Sequence, residues 1–272
     1  RLTFAARDSG PVTVAQVGAR ELSVHTVVEK KALIGESRRE ESVQPLAPSM
    51  EDEITALAFD GRAEDLFVGT SRGRVIHYDL RDPKTPKAVE AVRVAGAADT
   101  AVTALGFLIG DRTLIVGDQA GGVSTWQVIP ALTGGRRLTE IHRFEGHATA
   151  VSAIAASRRD KGFVTADASG DVRIHYGTSG RTLLSAKAEG APLRAVIFAP
   201  KSDAVLTADE RGLVSQWRVE NPHPEITLTL AGSAMMIIAY VSIKYLKTPK
   251  HGITYEEEKD EDSFLKTNAE AL

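Results

Sequence analysis

Gly146-His147-Ala148-Thr149-Ala150-Val151-Ser152-Ala153-Ile154-Ala155-Ala156 leads through Phe163-Val164-Thr165-Ala166-Asp167-Ala168-Ser169-Gly170 into Val172-Arg173-Ile174-His175-Tyr176. Two short apolar runs lie before a glycine and a third leaves it, which reads as strand, strand, tight turn, strand. The order recurs three more times. Ile54 to Phe59, Val102 to Phe107 and Leu193 to Phe198 match the opening run, and Leu66 to Gly73, Leu114 to Gly121 and Val205 to Gly212 match the second. From opening residue to closing glycine the distance is 19 in all four (54 to 73, 102 to 121, 151 to 170, 193 to 212), while the openings lie 48, 49 and 42 apart. A constant inner spacing beside a variable outer one predicts a fixed hairpin unit joined by loops of changing length.

Val75 to Tyr78, Val123 to Trp126, Val172 to Tyr176 and Val214 to Trp217 supply the third strands. Fourth strands fit at Ala88 to Val94 and Arg137 to Phe144. Four short strands in units of about 40–50 residues predict an all-β chain of β-propeller blades. At the N-terminus, Phe4 to Gly10 aligns with the second run, Val12 to Val17 with the third and Glu21 to Val28 with a fourth strand. The expected architecture is four recognisable blades plus a partial N-terminal blade that lacks its opening strand. Since a propeller hides its sheet edges by closing on itself, that gap implies blades upstream of Arg1. The chain also begins without an initiator Met or a signal peptide, as a processed product or a fragment would.

These residues resemble the WD-repeat family. Gly146-His147 before Val151 is similar to the dipeptide that opens such a repeat, and Tyr78-Asp79 to the Trp-Asp that closes it. Trp126 and Trp217 take the closing aromatic position, with Gln127 and Arg218 where the family has Asp. The turn Asp just before the glycine is replaced by Arg72, Ala120, Ser169 and Arg211, and Asp118, Asp167 and Asp209 recur three residues before the glycine instead. The family's His–Ser–Asp–Trp hydrogen-bond network is thus expected to be incomplete, with His147 its one clear histidine. Gln216 to Glu225, ending Asn-Pro-His-Pro-Glu, resembles a narrower group: the extracytoplasmic domain of Gram-negative phosphate ABC transporter permeases. That resemblance covers residues 1–225; residues from about 231 do not resemble the continuation into a permease.

Composition limits the chemistry. Lys and Arg number 33 against 36 Asp and Glu, for a net charge of −3, and 43% of residues are hydrophobic. The chain is too apolar for disorder and too balanced for bulk-charge binding of nucleic acid. Its basic residues are not interleaved with aromatics, which argues against single-strand binding as well. Zero cysteines exclude disulfides, thiolate metal sites and a Cys nucleophile. No phosphate-binding loop, dinucleotide fingerprint, metalloprotease helix or nucleophile elbow is present. No catalytic, cofactor-binding or metal residues are therefore expected.

Two readings of Asp118, Asp167 and Asp209 stand open. They could ring one face and attract a cation or a basic peptide, or each could accept backbone N–H groups in its own turn. His147 reads as a turn anchor, and His77 and His175 as structural or surface residues at equivalent places in their third strands. Tyr78, Trp126 and Trp217 read as core. Arg72 and Arg211, beside the turns, are candidates for contact with a partner or an anionic surface.

The C-terminus is different material. Ile226 to Ile243 carries no charge over 18 residues, Lys244, Lys247 and Lys250 follow, and Glu256 to Asp262 holds six acids against one Lys. Residues 226–247 are either a membrane helix with a cytoplasmic C-terminal side or a buried element, with Ile226 to Leu230 reading as a strand. Residues 248–272 read as a solvated acidic tail. The expected function is non-catalytic interaction. One setting is the periplasmic side of a bacterial inner membrane, with transporter subunits or a substrate-binding protein as partners. The alternative is a cytoplasmic WD-repeat scaffold.

Overall fold

The computed structural model describes most residues between 52 and 219, short loops excepted, and the flanking strands at 2–6, 12–17, 22–30, 38–47 and 224–229. All of these lie in the first of two compact units, Arg1–Leu230. The described residues build five antiparallel sheets of four strands each, paired in chain order. Sheet I holds β1 (Leu2–Ala6), β2 (Val12–Val17), β3 (Leu22–Lys30) and β4 (Arg38–Ala47). Sheet II holds β5 (Ile54–Phe59), β6 (Asp65–Thr70), β7 (Arg74–Asp79) and β8 (Lys87–Arg93). Sheet III holds β9 (Val102–Phe107), β10 (Thr113–Asp118), β11 (Val123–Pro130) and β12 (Arg136–Arg143). Sheet IV holds β13 (Val151–Ala156), β14 (Gly162–Asp167), β15 (Asp171–Tyr176) and β16 (Arg181–Lys187). Sheet V holds β17 (Leu193–Phe198), β18 (Ala204–Asp209), β19 (Leu213–Arg218) and β20 (Pro224–Thr229).

First strands neighbour one another in sequence order, β1 beside β5, β5 beside β9, β9 beside β13 and β13 beside β17. Among the described residues β17 makes no comparable contact with β1, so these contacts do not show a closed ring. Burial follows from this stacking. The second strands β6 and β14 are buried at every residue because a sheet covers each face, which is why Leu66-Phe67-Val68 and Phe163-Val164 read as continuous apolar runs. The fourth strands β8 and β16 have one side toward water and alternate or stay exposed.

Each interface has its own core. Leu22, Val24, Leu66 and Tyr78 join sheets I and II; Phe67, Val75, Val102, Leu114 and Trp126 join II and III. Ile115, Val123, Phe144, Val151 and Phe163 join III and IV, and Val164, Val172, Leu193 and Val205 join IV and V. The sheets approach closely because small residues face the next opening Val: a Cβ on Gly117 would sit 2.6 Å from Val151 Cγ1. Gly69 meets Val102 in the same way, at 2.7 Å.

Two results depart from the sequence reading. The N-terminal unit is a complete four-stranded sheet rather than a partial one, since Leu2–Ala6 lies in the first-strand place beside β5 and Arg38–Ala47 supplies a fourth strand. Sheet I also lacks the bulge between its first two strands that sheets II to V share. Secondly, the boundary at residue 225 falls inside β20, which pairs with β19 and completes sheet V. The apolar segment beyond it and the acidic tail lie outside the described residues. No helix among the described residues is long and apolar enough to cross a membrane.

Candidate functional site: the turn network of sheets III and IV

In sheets II to V the second-to-third turn is organised by the residue three before its glycine. Asp118 Oδ1 accepts the backbone N–H groups of Ala120 and Gly122, at 2.9 and 2.8 Å. Asp167 Oδ1 accepts those of Ser169 and Asp171, at 2.9 and 2.8 Å, and Asp209 Oδ1 those of Arg211 and Leu213, also at 2.9 and 2.8 Å. In sheet II the same place is held by Thr70, whose hydroxyl accepts from Arg74 N at 3.2 Å. All four side chains are buried. The carboxylates are turned back into their own loops, as short acidic side chains do when they stand in for a backbone acceptor.

The closing aromatics obey the register too. Tyr78, Trp126, His175 and Trp217 pair across to Leu66, Leu114, Phe163 and Val205, each five residues past its glycine. A bulge between the third and fourth strands recurs immediately before each of them. Such a bulge re-aims the side chain that follows it. His175 therefore takes the place of the closing aromatic, and His77, four past its glycine, points to the opposite face. The sequence reading that made these two histidines equivalent is corrected by this one-residue offset, and counting five from Gly170 would have revealed it.

Tyr78 is buried between sheets I and II, and burial raises its hydroxyl pKa above the ordinary value. Trp126 lies between sheets II and III and donates Nε1–H to Ser124 Oγ at 2.8 Å. Trp217 donates to Thr207 Oγ1 at 2.9 Å and lines an apolar crevice with Val172, Ile174, Leu184 and Val205. That crevice gathers no set of polar groups that could act on a substrate. Arg72 is largely exposed, its Nε 3.3 Å from the buried Asp52, which Arg74 also grips through Nε at 3.0 Å. Arg211 presents an exposed side chain beside the sheet V turn.

The densest polar assembly surrounds His147. Its backbone N–H bonds Gly121 O of the sheet III turn at 2.8 Å, while its ring enters sheet IV. Nδ1 lies 3.1 Å from Asp171 Oδ2, and Nε2 lies 2.7 Å from Thr165 Oγ1. The Thr165 hydroxyl also contacts His175 Nε2 at 2.8 Å, and His175 Nδ1 contacts Thr182 Oγ1 at 3.0 Å. His175 packs between the rings of Phe163 and Phe144, at centroid distances of 4.8 and 5.1 Å. Thr165, Asp171, His175 and Thr182 were not legible as a group, since they come from three strands and meet only across the sheet.

Burial lowers the His147 pKa, although Asp171 and Asp167 oppose it. His175 is pushed down to about 3, first by burial and then by the nearby His147 and Arg173 charges. Burial alone would raise the Asp167 carboxyl, but donors from Asp171, Ser169 and Thr149 outweigh it and hold it below the ordinary value.

His147, Asp167 and Asp171 bring nitrogen and oxygen atoms within 4.8 Å of one another. Those atoms are already engaged: Thr149 donates to Asp167 Oδ2 at 2.9 Å, and Arg173 Nε donates to Asp171 Oδ2 at 2.7 Å. A guanidinium on the carboxylate competes directly with a cation, so the cluster is a hydrogen-bond knot, not a ligand set.

A second polar tie joins sheets II and III. Arg136 on β12 grips Asp65 on β6 with two bonds of 2.8 and 2.7 Å and approaches Asp79 at 3.2 Å. His77 Nε2 meets the same Asp65 at 2.8 Å and stacks on Phe67. Burial disfavours the Asp65 charge, yet the bonds from His77 and Arg136 prevail and its pKa falls below the ordinary value. Both assemblies hold neighbouring sheets together. Comparison with known protein families and with curated proteins finds no match, so the chain's class rests on its repeated four-stranded sheets and on these networks.

Proposed function

We propose that this chain is a WD-repeat-like β-propeller domain acting through protein contacts, without catalysis. The observation that carries this reading is the internal use of its polar turn residues. Asp118, Asp167 and Asp209 each serve their own backbone, and His147 and His175 serve a buried network. Chemistry needs convergent groups with free valences in different roles, whereas recognition needs a rigid scaffold that presents loops. Arg72 and Arg211, exposed beside the turns of sheets II and V, are side chains that a partner would meet first.

The Asn221-Pro222-His223-Pro224-Glu225 resemblance supports a setting within a phosphate-type ABC transporter permease, on the periplasmic side of the inner membrane. There the domain would contact transporter subunits or the substrate-binding protein. A phosphatase fused after Leu230 in the native gene, together with membrane fractionation, tests the setting. Periplasmic phosphatase activity in the membrane fraction is expected. Titration of the purified chain with a periplasmic phosphate-binding protein then tests the contact, with saturable binding that weakens when Arg72 and Arg211 become Glu. A soluble cytoplasmic fusion overturns the transporter setting and leaves the scaffold reading.

A further inference from the structure

The bond order of the His147–Thr165–His175 chain is fixed by elementary chemistry. A carboxylate only accepts, so His147 Nδ1 carries the proton that faces Asp171 Oδ2. The neutral ring then leaves Nε2 bare, and Thr165 donates its single hydroxyl proton there. Thr165 oxygen accepts in turn from His175 Nε2–H, which leaves His175 Nδ1 bare to accept from the Thr182 hydroxyl. One direction of donation runs from Thr182 through both imidazoles to Asp171. With both rings neutral every donor in it has an acceptor, and a proton on His147 Nε2 breaks that order at the Thr165 hydroxyl.

We propose that this chain is an acid-sensitive latch: with both histidines neutral it clamps the turn before β13 onto sheet IV and the sheet III turn, and protonation releases that junction. A proton arriving at His147 Nε2 removes the acceptor of the Thr165 hydroxyl. A proton at His175 Nδ1 places a cation between two phenyl rings, away from any carboxylate contact. The charged groups around His147 are Asp167 and Asp171, at 3.8 and 3.1 Å, and Arg173, which bonds Asp171 and the Gly146 carbonyl and lies 3.6 Å from Glu145. Around His175 stand Phe144 and Phe163, with His142 of β12 behind Phe144, and Thr182 of β16. Because His147 N also bonds Gly121 O, loss of the ring's place frees a tie between sheets as well as one within sheet IV.

The lowered pKa of both rings agrees with this direction. With His175 at about 3 when folded, against an ordinary value of about 6.5, its protonation alone shifts the folding equilibrium about thirtyfold toward the open form at pH 5.

Hydrogen exchange on the full chain tests the latch at neutral pH and near pH 5, with intrinsic rates corrected. The expected result is that amides of β13–β16 lose at least about tenfold more protection than those of β5–β8. His175→Trp keeps a ring N–H aimed at Thr165, as Trp217 donates to Thr207, and removes the titration; it should abolish most of that difference. Equal acid responses of the two sheets, or a full response retained in H175W, would overturn the latch. Ring nitrogen NMR on the unsubstituted chain gives an answer that no variant's folding can obscure. One neutral tautomer per ring, Nδ1–H on His147 and Nε2–H on His175, persisting below the ordinary imidazole range is expected. Ordinary titration of both rings in an intact sheet IV refutes the proposal.

Discussion

Asp209 and Asp167 fill the same turn position but serve different numbers of donors. Asp209 accepts two backbone N–H groups, whereas Asp167 also takes the Thr149 and Ser169 hydroxyls and is fully buried. Asp209→Ala should lower stability by about 1–2 kcal/mol, as for loss of a capping acceptor, and Asp167→Ala by more. Thermal melts of the two variants side by side check that order. At the sheet III turn, Gly121 has φ of 89°, and a Cβ there would stand 2.2 Å from the His147 carbonyl oxygen. Both the left-handed backbone and the approach demand glycine, so Gly121→Ala should cost at least about 2 kcal/mol in urea titration. These positions were legible: the 19-residue spacing marked the glycine, and the acid three before it marked the turn. The register of His175 was not read, because an imidazole in place of an indole breaks the pattern by residue type while keeping it by position.

Strand identity was legible around each spaced glycine, which covers the first three strands of sheets II to V. Bulges were not, since they leave no composition signal and show only as register shifts against a partner strand. Ties between sheets were equally hidden. Arg136 lies 71 residues from the Asp65 it grips, and no local spacing announces that pair. With the Arg136 side chain 27% exposed and that of Asp65 13%, the pair is sheltered enough to matter. Arg136→Met leaves Asp65 with His77 as its remaining described side-chain partner and should cost roughly 2–3 kcal/mol, while pairing it with Asp65→Asn should recover part of the loss. A double-mutant cycle in urea measures that coupling. The sign of its pH dependence follows from the lowered Asp65 pKa. The contribution is present above the ordinary carboxylate value and fades as pH falls through the folded one.

Across the whole molecule, each sheet packs on its neighbours in the sequence through a separate core, as in arrays whose stability sums over units and interfaces. The two tryptophans sample different interfaces, Trp126 between sheets II and III and Trp217 between IV and V. Trp217→Phe and Trp126→Phe variants each leave one reporter. Their urea transitions should coincide at neutral pH and separate near pH 5, where the junction of sheets III and IV weakens. His175 sets the size of that change. Its folded pKa of about 3 is depressed, so the unfolded chain binds the extra proton, and stability falls as pH drops below the ordinary imidazole value. The loss reaches about 2 kcal/mol at pH 5, read as a shift of the urea midpoint with an unchanged slope.

Sequence alone determined the repeat, the first three strands of sheets II to V and the turn positions of Asp118, Asp167 and Asp209, because those depend on side-chain alternation and glycine spacing within a few residues. Tertiary structure decided that Leu2–Ala6 begins a full sheet, that His175 takes the closing aromatic position, and that Thr165 joins two histidines. The physical reason is range. Local pattern fixes what a segment becomes, but hydrogen-bond register and the burial of a polar group exist only once a second strand or sheet is in place.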